Sequence, residues 1–304
     1  MALTDTLIRS TLGLVSTRFR TVGDWAVVYR RIVDTKPICD KTKINRRCSL
    51  RHIVDALGPR LMSRVLPHEI AELVQAIHAK HPALAKRVLI EAKDFFNEAV
   101  SYAWLLRSPA ASIRAPRVRV LRERLTLDQW QKIYAWSVEN QPPWVSRMLV
   151  LALVTGQRRS DLEKMQFGDA WDDHLHVVQA KTGERLAIPL ALRLDAINVS
   201  VGEAIEACRD YAVGQIFLLR KHNGQALGMA SLSARFEEAR EAALPAFASG
   251  HPPSLHECRS LAERLYRKQG INTMRLLGHR HQSMTDMYND DRGLTDGEWK
   301  TLVL

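Results

Sequence analysis

Apolar residues recur at three- and four-residue steps through much of the first hundred positions, and this helical period constrains the fold more than any other feature. Trp25, Val28 and Ile32 follow the period. Proline and glycine interrupt it near Pro37, Gly58 and Pro82. Residues 21–106 are therefore predicted to form a bundle of four or five helices, whereas residues 1–20 carry too little pattern to be assigned. The apolar positions that resume the period are Ile53, Leu57, Leu61, Val65, Leu73, Ile77, Leu84, Val88 and Phe95.

The segment 107–124 has a different character. It contains six arginines against the single acid Glu123, and Pro109 and Pro116 disfavour a helix. We interpret it as an extended basic linker between two domains, able to follow a phosphate backbone. The alternative is a solvated linker that is basic by chance.

The charge distribution supports a polyanionic partner for the first part of the chain. Residues 1–130 hold 23 Lys and Arg against 12 Asp and Glu, a net charge of +11, and the remaining residues hold 21 of each. The whole excess of the 304-residue chain therefore lies in the bundle and the linker. A nucleic acid or an anionic membrane surface would be attracted there. A generically basic protein is the alternative.

Residues 125–304 are predicted to form a mixed domain. The segment Thr126–Gln129 has the form of a capping box, and an apolar helix covers roughly 145–154. A β-hairpin follows, with strands at 174–179 and 185–189 joined by a Lys-Thr-Gly turn, and residues 201–289 are again mostly helical. The predicted fold is thus mainly α with a small β-sheet, in two domains.

Cysteine and histidine spacing argues against a disulfide framework or a metal site. The four cysteines form no CxxC pair, which favours reduced thiols in a cytoplasm. His174 and His176 would share one face of a strand, and His279 and His281 are similarly spaced, but neither pair has acidic or cysteine companions at typical spacing. No apolar run is long enough to span a bilayer. We predict no metal, no cofactor and no membrane association.

Chemistry-bearing residues cluster in the second half. His256 and Arg259 stand three apart in Ser-Leu-His-Glu-Cys-Arg, so they share a helix face, and Ser254 and Glu257 have capping-box spacing. A proton carrier beside a forked cation suits a phosphate. Taken alone, such a pair is more often simply solvated.

Four further residues extend this set. Arg158 follows an apolar helix and a glycine turn in Thr-Gly-Gln-Arg, and Lys181 lies on the hairpin turn. Gly278 is predicted to end a helix and to place His279 at the start of the next turn, and Tyr288 comes nine residues after His279. Each has an ordinary alternative, as a surface arginine, a turn lysine, or a structural histidine and tyrosine.

Taken in order, these residues resemble the active site of the tyrosine recombinases, and most closely that of the lambda-like phage integrases. The matching motifs are Thr-Gly-Gln-Arg, the Lys-Thr-Gly hairpin, His-Glu-x-Arg followed by Ser-Leu, Leu-Leu-Gly-His, and Tyr followed shortly by Asp-Asp-Arg-Gly. The resemblance is dense over residues 124–293. It is fainter in the bundle, which is similar in kind to the family's core-binding domain.

The resemblance implies a DNA strand-transferase with six catalytic residues. Tyr288 would attack the scissile phosphate and form a 3′-phosphotyrosine, which conserves the bond energy without ATP. Arg158 and Arg259 would bind the non-bridging oxygens, and Lys181 would protonate the leaving 5′ oxygen. His256 would accept the tyrosine proton or hold the phosphate, and His279 would donate a hydrogen bond to it.

The resemblance also implies partners. We expect double-stranded DNA between the two domains, a homotetramer on two DNA sites that passes through a Holliday junction, and room for accessory DNA-bending proteins. The basic residues predicted to contact DNA are Lys41, Lys43, Arg46, Arg47, Arg114, Arg117 and Arg119.

Some features depart from the family or stay open. Cys258 stands where the family often has Leu, a tolerable change on a buried face. Only about 20 residues precede the bundle, so we expect either a recombinase without an arm-binding domain or a chain from which that domain was cut. The apolar end of the segment 290–304 suggests that it contacts a neighbouring protomer, with Tyr288 on a movable segment.

Two other functions remain alternatives. A type IB topoisomerase uses similar Arg, Lys, His and Tyr chemistry but rejoins the same strand. A DNA-binding protein of the same fold that has lost catalysis is the second alternative. The target DNA sequence cannot be deduced from the chain.

Overall fold

A computed structural model describes residues 20–118, 120–247 and 250–289 of the chain. The described residues form two compact units that divide between Val120 and Leu121. None of the helices within these ranges combines the length and the apolar character that a membrane span needs. The predicted contact of segment 290–304 with a neighbouring protomer lies outside the described residues.

The first unit is a helical bundle, as the hydrophobic period predicted. Its helices are α1 (Val22–Thr35), α2 (Asp40–Leu57), α3 (Pro67–His78) and α4 (Pro82–Ser101), with a 3₁₀ turn at Met62–Arg64. Pro67 and Pro82 occupy the first helical turn, where the missing N–H costs nothing. A capping box at Thr21 and Asp24 begins α1.

Aromatic side chains fill the centre of this bundle. Trp25, Tyr29, Phe95 and Phe96 are fully buried, and the Trp25 indole N–H donates to the Phe95 carbonyl at 2.9 Å. Tyr29 and Phe95 meet edge to face with ring centroids 5.1 Å apart. These contacts hold α1 against α4.

The described residues of the predicted linker 107–124 have no regular secondary structure, but two of them are buried. Ala110 is fully buried in the core of the first unit. Arg124 is buried in the second unit, where Nη1 lies 3.0 Å from Glu257 Oε2. Counting Arg124 among the phosphate-tracking arginines was therefore wrong, because a buried guanidinium paired with a carboxylate is not available to DNA.

The second unit begins with helices α5 (Leu127–Asn140), α6 (Pro143–Thr155) and the short α7 (Arg159–Leu162). The predicted capping box between Thr126 and Gln129 is present at the start of α5. Helix α6 is buried along almost its whole length and packs against α5 and later helices. It forms the centre of this unit.

Two small antiparallel sheets follow. Strands β1 (Ala170–Trp171), β2 (His174–Val178) and β3 (Arg185–Pro189) form one sheet in that order, with His176 opposite Ala187. Strands β4 (Arg193–Leu194) and β5 (Val199–Ser200) form the other. The first contains the predicted hairpin.

The remaining helices are α8 (Val201–Glu206), α9 (Met229–Ala243), α10 (Glu257–Lys268), α11 (Thr273–Leu277) and α12 (Gln282–Asp286). The expectation that residues 201–289 are mostly helical was too simple, because the described residues between α8 and α9 and between α9 and α10 lie outside any helix. The Tyr266 hydroxyl donates to the Val154 carbonyl at 2.8 Å and joins α10 to the end of α6.

Candidate active site

Arg158 is held at the junction of α6 and α7. Gly156 ends α6 with φ of 62°, in the left-handed region that favours glycine, and a Cβ there would lie 3.0 Å from the Leu277 side chain. Arg158 precedes α7, and its Nη1 donates to Gln179 Oε1 at 2.8 Å. Its backbone N–H donates to Asp161 Oδ2 at 3.2 Å. The guanidinium is therefore fixed in direction.

Lys181 lies on the turn between β2 and β3. The Gln179 N–H donates to the Glu184 carbonyl, and the Gly183 N–H donates to the Gln179 carbonyl. Gly183 has φ of 70°, as a tight turn requires. Lys181 is exposed, so its ammonium can reach outward from a fixed turn.

His256 and Arg259 lie at the start of α10. The predicted capping box of Ser254 and Glu257 is wrong: the helix begins at Glu257 with His256 in the cap position, and the Glu257 carboxylate is paired with Arg124. The Glu257 N–H donates instead to the Ser254 carbonyl. His256 and Arg259 stand three positions apart, and the positive charge of Arg259 lowers the pKa of His256.

Arg259 is almost fully buried, at 1% exposure. Its Nη1 donates to the Gly156 carbonyl at 2.8 Å, and its Nη2 donates to the Leu277 carbonyl at 2.5 Å. Nη2 also lies 3.1 Å from His279 Nε2. Arg259 therefore connects the end of α6, the end of α11 and His279.

The neighbours of His279 determine its protonation. Because arginine is only a donor, His279 Nε2 must accept from Arg259. The neutral ring then carries its proton on Nδ1, which lies 2.8 Å from Thr285 Oγ1. Gly278, in the left-handed region at φ of 63°, ends α11 as predicted, and the His279 that follows it is buried.

Tyr288 completes the cluster. Its hydroxyl lies 3.2 Å from His256 Nε2, and its ring stacks on His279 with centroids 5.6 Å apart and planes 8° apart. Arg124 Nη2 donates to the Met287 carbonyl at 2.5 Å, and Ser260 Oγ donates to the Tyr288 carbonyl at 3.3 Å. The phenol is thus held from both its ring and its backbone.

The cluster carries an excess of positive charge. Loss of hydration, followed by repulsion from Arg259 and Arg158, lowers the pKa of both His256 and His279 to about 4. Arg122 and Lys181 add to this effect at His256, which is exposed. Burial and then Arg158 lower the pKa of Arg259 to about 10. Such a site favours an anion.

The predicted DNA contacts in the bundle have different surroundings. Arg46 forms an ion pair within the bundle, with its Nε 3.1 Å from Glu91 Oε2. Its side chain therefore stabilises the bundle. Arg47 pairs with Asp34 at 2.7 Å on the surface, and Lys43 Nζ donates to the Asp34 carbonyl at 2.7 Å. The structure leaves exposed the side chains of Lys41, Arg47, Arg114 and Arg117, and Arg119 lies outside the described residues.

Several side chains around the site were not predicted from the sequence. Gln179 bonds Arg158, Arg124 bonds the segment before Tyr288, and Thr285 bonds His279. Gln179 was the easiest to find, because it lies two positions before Lys181. Nothing in the local pattern signalled Arg124.

The paired histidines on β2 contact neighbouring residues of the same sheet and its turn. The His176 ring stacks on Trp171 with centroids 3.7 Å apart, and His174 Nδ1 lies 2.6 Å from the Asp172 carbonyl oxygen. Within the described ranges, no three His, Cys, Asp or Glu side chains are grouped as a metal site would need.

Known proteins resemble this chain along most of its length. The model of the phage integrase family matches residues 123–293. Prophage integrase IntE of Escherichia coli K12 is 38% identical over 286 residues, which cover 90% of this chain and 76% of that protein. The integrase of Escherichia phage lambda is 35% identical over 287 residues, which cover 93% and 79%.

Solved structures agree with these relatives. A lambda integrase dimer bound to a COC′ core site matches with a TM-score of 0.86 and 34% identity, covering 93% of this chain and 99% of that one. A lambda integrase tetramer bound to a Holliday junction matches with a TM-score of 0.85 and 33% identity, covering 93% and 80%. The two-domain recombinase fold expected from the sequence is confirmed, and the chain belongs to the phage integrase family of tyrosine recombinases.

Proposed function

We propose that this recombinase cleaves and rejoins DNA at specific sites through a covalent bond between Tyr288 and a 3′ phosphate. One observation carries the proposal: the Tyr288 hydroxyl lies 3.2 Å from His256 Nε2 within a positively charged cluster that contains Arg259 and His279. A nucleophile, a proton acceptor and phosphate-binding cations are therefore side by side.

Arg158 and Arg259 supply the electrostatic part of the reaction. Attack on a phosphodiester concentrates negative charge on the non-bridging oxygens. Both guanidiniums are held by neutral hydrogen-bond acceptors, and neither forms an ion pair with a carboxylate in the described part of the chain. Their charge remains available to the phosphate.

The arrival of the phosphate makes His256 a better base. With a pKa of about 4, the ring is neutral at pH 7 and can accept the Tyr288 proton through Nε2, but it holds that proton weakly. A phosphate among the cations offsets their repulsion and raises the pKa of the ring. Tyrosine is therefore activated only when a scissile phosphate is present.

The reaction balances without an added reagent. The Tyr288 oxygen forms a bond to phosphorus as the bond to the 5′ oxygen breaks, His256 accepts the phenol proton, and Lys181 donates a proton to the leaving oxygen. A 5′ hydroxyl of the other duplex reverses each step and restores the tyrosine. No metal or other cofactor is part of this scheme.

His279 is expected to donate a hydrogen bond to the phosphate, and it must rearrange once before it can do so. In the present state Nε2 accepts from Arg259 and Nδ1 carries the proton. Donation from Nε2 becomes available once the phosphate has drawn Arg259 away and Nε2 has gained a proton. Until then His279 supports the Tyr288 ring by stacking.

The partners follow from the relatives. Lambda integrase forms dimers on a core site and tetramers on a Holliday junction. We propose the same assembly on two duplex sites for this chain, in the cytoplasm, with accessory DNA-bending proteins. Residues 21–106 act as the core-binding domain, residues 107–124 as the linker and residues 125–304 as the catalytic domain. The side chains proposed to contact DNA are Lys41, Lys43, Arg47, Arg114, Arg117 and Arg119.

A nicked DNA substrate tests the proposal. The short 5′-hydroxyl fragment diffuses away after cleavage and traps the covalent complex. We expect wild-type protein to form a denaturant-resistant adduct and Tyr288→Phe to form none while binding DNA equally well. Tyr134→Phe, which removes the hydroxyl of another half-buried tyrosine in the same unit, is the matched control and should behave as wild type.

The outcomes separate the alternatives. An adduct of equal yield with Tyr288→Phe would refute the assignment of the nucleophile. DNA binding without any wild-type adduct would favour a protein that has lost catalysis. Relaxation of supercoiled DNA by an active protein, without strand exchange between two sites, would favour a topoisomerase.

A further inference from the structure

A buried amide behind the candidate active site connects three of its segments. Gln179 is 1% exposed, although glutamine is usually found at the surface. Its Oε1 accepts from Arg158 Nη1 at 2.8 Å and from Thr182 Oγ1 at 2.9 Å. Its Nε2 donates to Gln157 Oε1 at 2.8 Å and to the Leu277 carbonyl at 3.0 Å.

These four hydrogen bonds use the full capacity of the amide. Arginine can only donate and a carbonyl can only accept, so Arg158 and Leu277 fix which atom is oxygen and which is nitrogen. A buried amide with every bond satisfied has one favourable orientation. Gln179 therefore sets direction as well as filling space.

The bonded groups belong to different parts of the reaction. Arg158 binds the phosphate, Thr182 is next to Lys181 on the hairpin turn, and Leu277 lies two residues before His279. Gln157 continues the network, because its Nε2 donates to the Thr155 and Leu276 carbonyls at 3.0 Å each. One amide thus joins phosphate binding, leaving-group protonation and the histidine segment.

The backbone at Gly278 lies close to the Gln179 side chain, and it can do so because Gly278 has no Cβ. A Cβ at Gly278 would lie 3.0 Å from Gln179 Nε2, closer than side chains normally pack. Gly278 also has positive φ, so two independent constraints require glycine there. The strand leading into the hairpin is therefore pressed against the segment that carries His279.

We propose that Gln179 is a positioning residue for strand cleavage that sets Arg158 and the Lys181 turn in register with each other. This inference rests on the proposed function of the site. Gln179 does not touch the substrate. Its removal should slow the chemical step at saturating DNA while leaving affinity almost unchanged, because a misplacement of about 1 Å can reduce a rate about 100-fold.

Gln179→Met is the main variant, since it keeps the length of the side chain and removes the amide. Gln141→Met is the matched control, because Gln141 is also buried in this unit and its Nε2 donates to the Arg235 carbonyl at 3.0 Å, away from the site. Thr182→Val is the second variant. It removes one hydroxyl from an exposed turn, so the protein should fold normally.

The test measures adduct formation on two nicked DNAs, one natural and one with sulfur in place of the leaving 5′ oxygen. A thiolate leaves without a proton, so the sulfur substrate removes the need for Lys181. On natural DNA we expect Gln179→Met to be about 10- to 100-fold slower and Thr182→Val about 3- to 10-fold slower. On the sulfur substrate Thr182→Val should match wild type and Gln179→Met should regain part of its loss. Dissociation constants should stay within about threefold.

Other results would overturn the inference. Equal losses of Thr182→Val on both substrates would refute the link to the turn, even if Gln179→Met fails to fold. A Gln179→Met rate equal to that of Gln141→Met, or a loss explained by weaker binding, would also refute it. If wild-type protein forms no adduct on either DNA, the proposed function and this inference are both refuted. If wild-type protein forms an adduct that Tyr288→Phe lacks, the proposed function stands, and the Gln179 and Thr182 variants then test this inference alone.

Discussion

Each unit of the molecule contains an arginine near a tyrosine, but the two clusters are built in opposite ways. In the bundle, the Tyr29 hydroxyl lies 2.7 Å from both Glu91 Oε1 and Asp94 Oδ2, and Arg46 pairs with both carboxylates. In the catalytic unit, Tyr288 meets histidines and Arg259. The first cluster compensates its charge internally and the second does not.

The pKa shifts reflect this difference. Burial, followed by Glu91, raises the pKa of Tyr29 well above its ordinary value, so that phenol remains a hydrogen-bond donor within the fold. Around Tyr288, burial and neighbouring cations lower the pKa of two histidines to about 4. An arginine beside a tyrosine stabilises a fold when carboxylates pair with its guanidinium, and can bind an anion when none does.

The largest expected effect comes from removing a cation from the uncompensated cluster. Arg259→Ala should slow adduct formation about 100- to 1000-fold, because the developing phosphate charge loses a fixed donor. Single-turnover rates on nicked DNA measure this. Arg235→Ala, which removes a surface arginine paired with Glu238, is the control and should react as wild type. A loss under tenfold with Arg259→Ala would contradict the account.

Removing the cation from the compensated cluster should affect stability. Arg46→Met leaves Glu91 and Asp94 without their guanidinium and should lower the free energy of unfolding by about 2–3 kcal/mol, less than for a wholly buried pair because solvent reaches Asp94. Denaturant unfolding of the full chain measures the change.

The control for Arg46 is a nearby residue on the same helix. Lys41→Ala should leave stability unchanged but lower the salt dependence of DNA binding by about one phosphate contact, whereas Arg46→Met should leave that slope unchanged. Reversed results would show that Arg46 binds DNA, as the sequence suggested, and that its ion pairs are incidental.

A smaller expected effect is the pH dependence of the free energy of unfolding, which tests the lowered pKa of His279 in the second cluster. His279 has a pKa of about 4 in the folded chain and an ordinary value near ~6.5 when unfolded, so the unfolded chain binds more protons between those values. Stability should fall as the pH drops from about 6.5 to 4. The slope of the free energy of unfolding against pH should be smaller for His279→Gln than for wild type, by the equivalent of up to one bound proton. Equal slopes would contradict the lowered pKa.

Features that depend on residues close together in the sequence could be predicted. The Gly278-His279 turn and the Lys181 hairpin follow from local backbone rules, and the order of the motifs identified the family. Contacts between distant residues could not be predicted: Arg46 and Glu91 are 45 positions apart, and Arg124 and Glu257 are 133 apart. The same pattern of basic residues therefore suggested DNA contacts where the fold uses two arginines internally.

In our proposal, the uncompensated cluster directs Tyr288 at a phosphate. The most direct measurement digests the covalent complex from nicked DNA and identifies the modified peptide by mass spectrometry. We predict one adduct, a nucleotide joined through its 3′ phosphate to Tyr288. Attachment to another residue, or through a 5′ phosphate, would contradict the account.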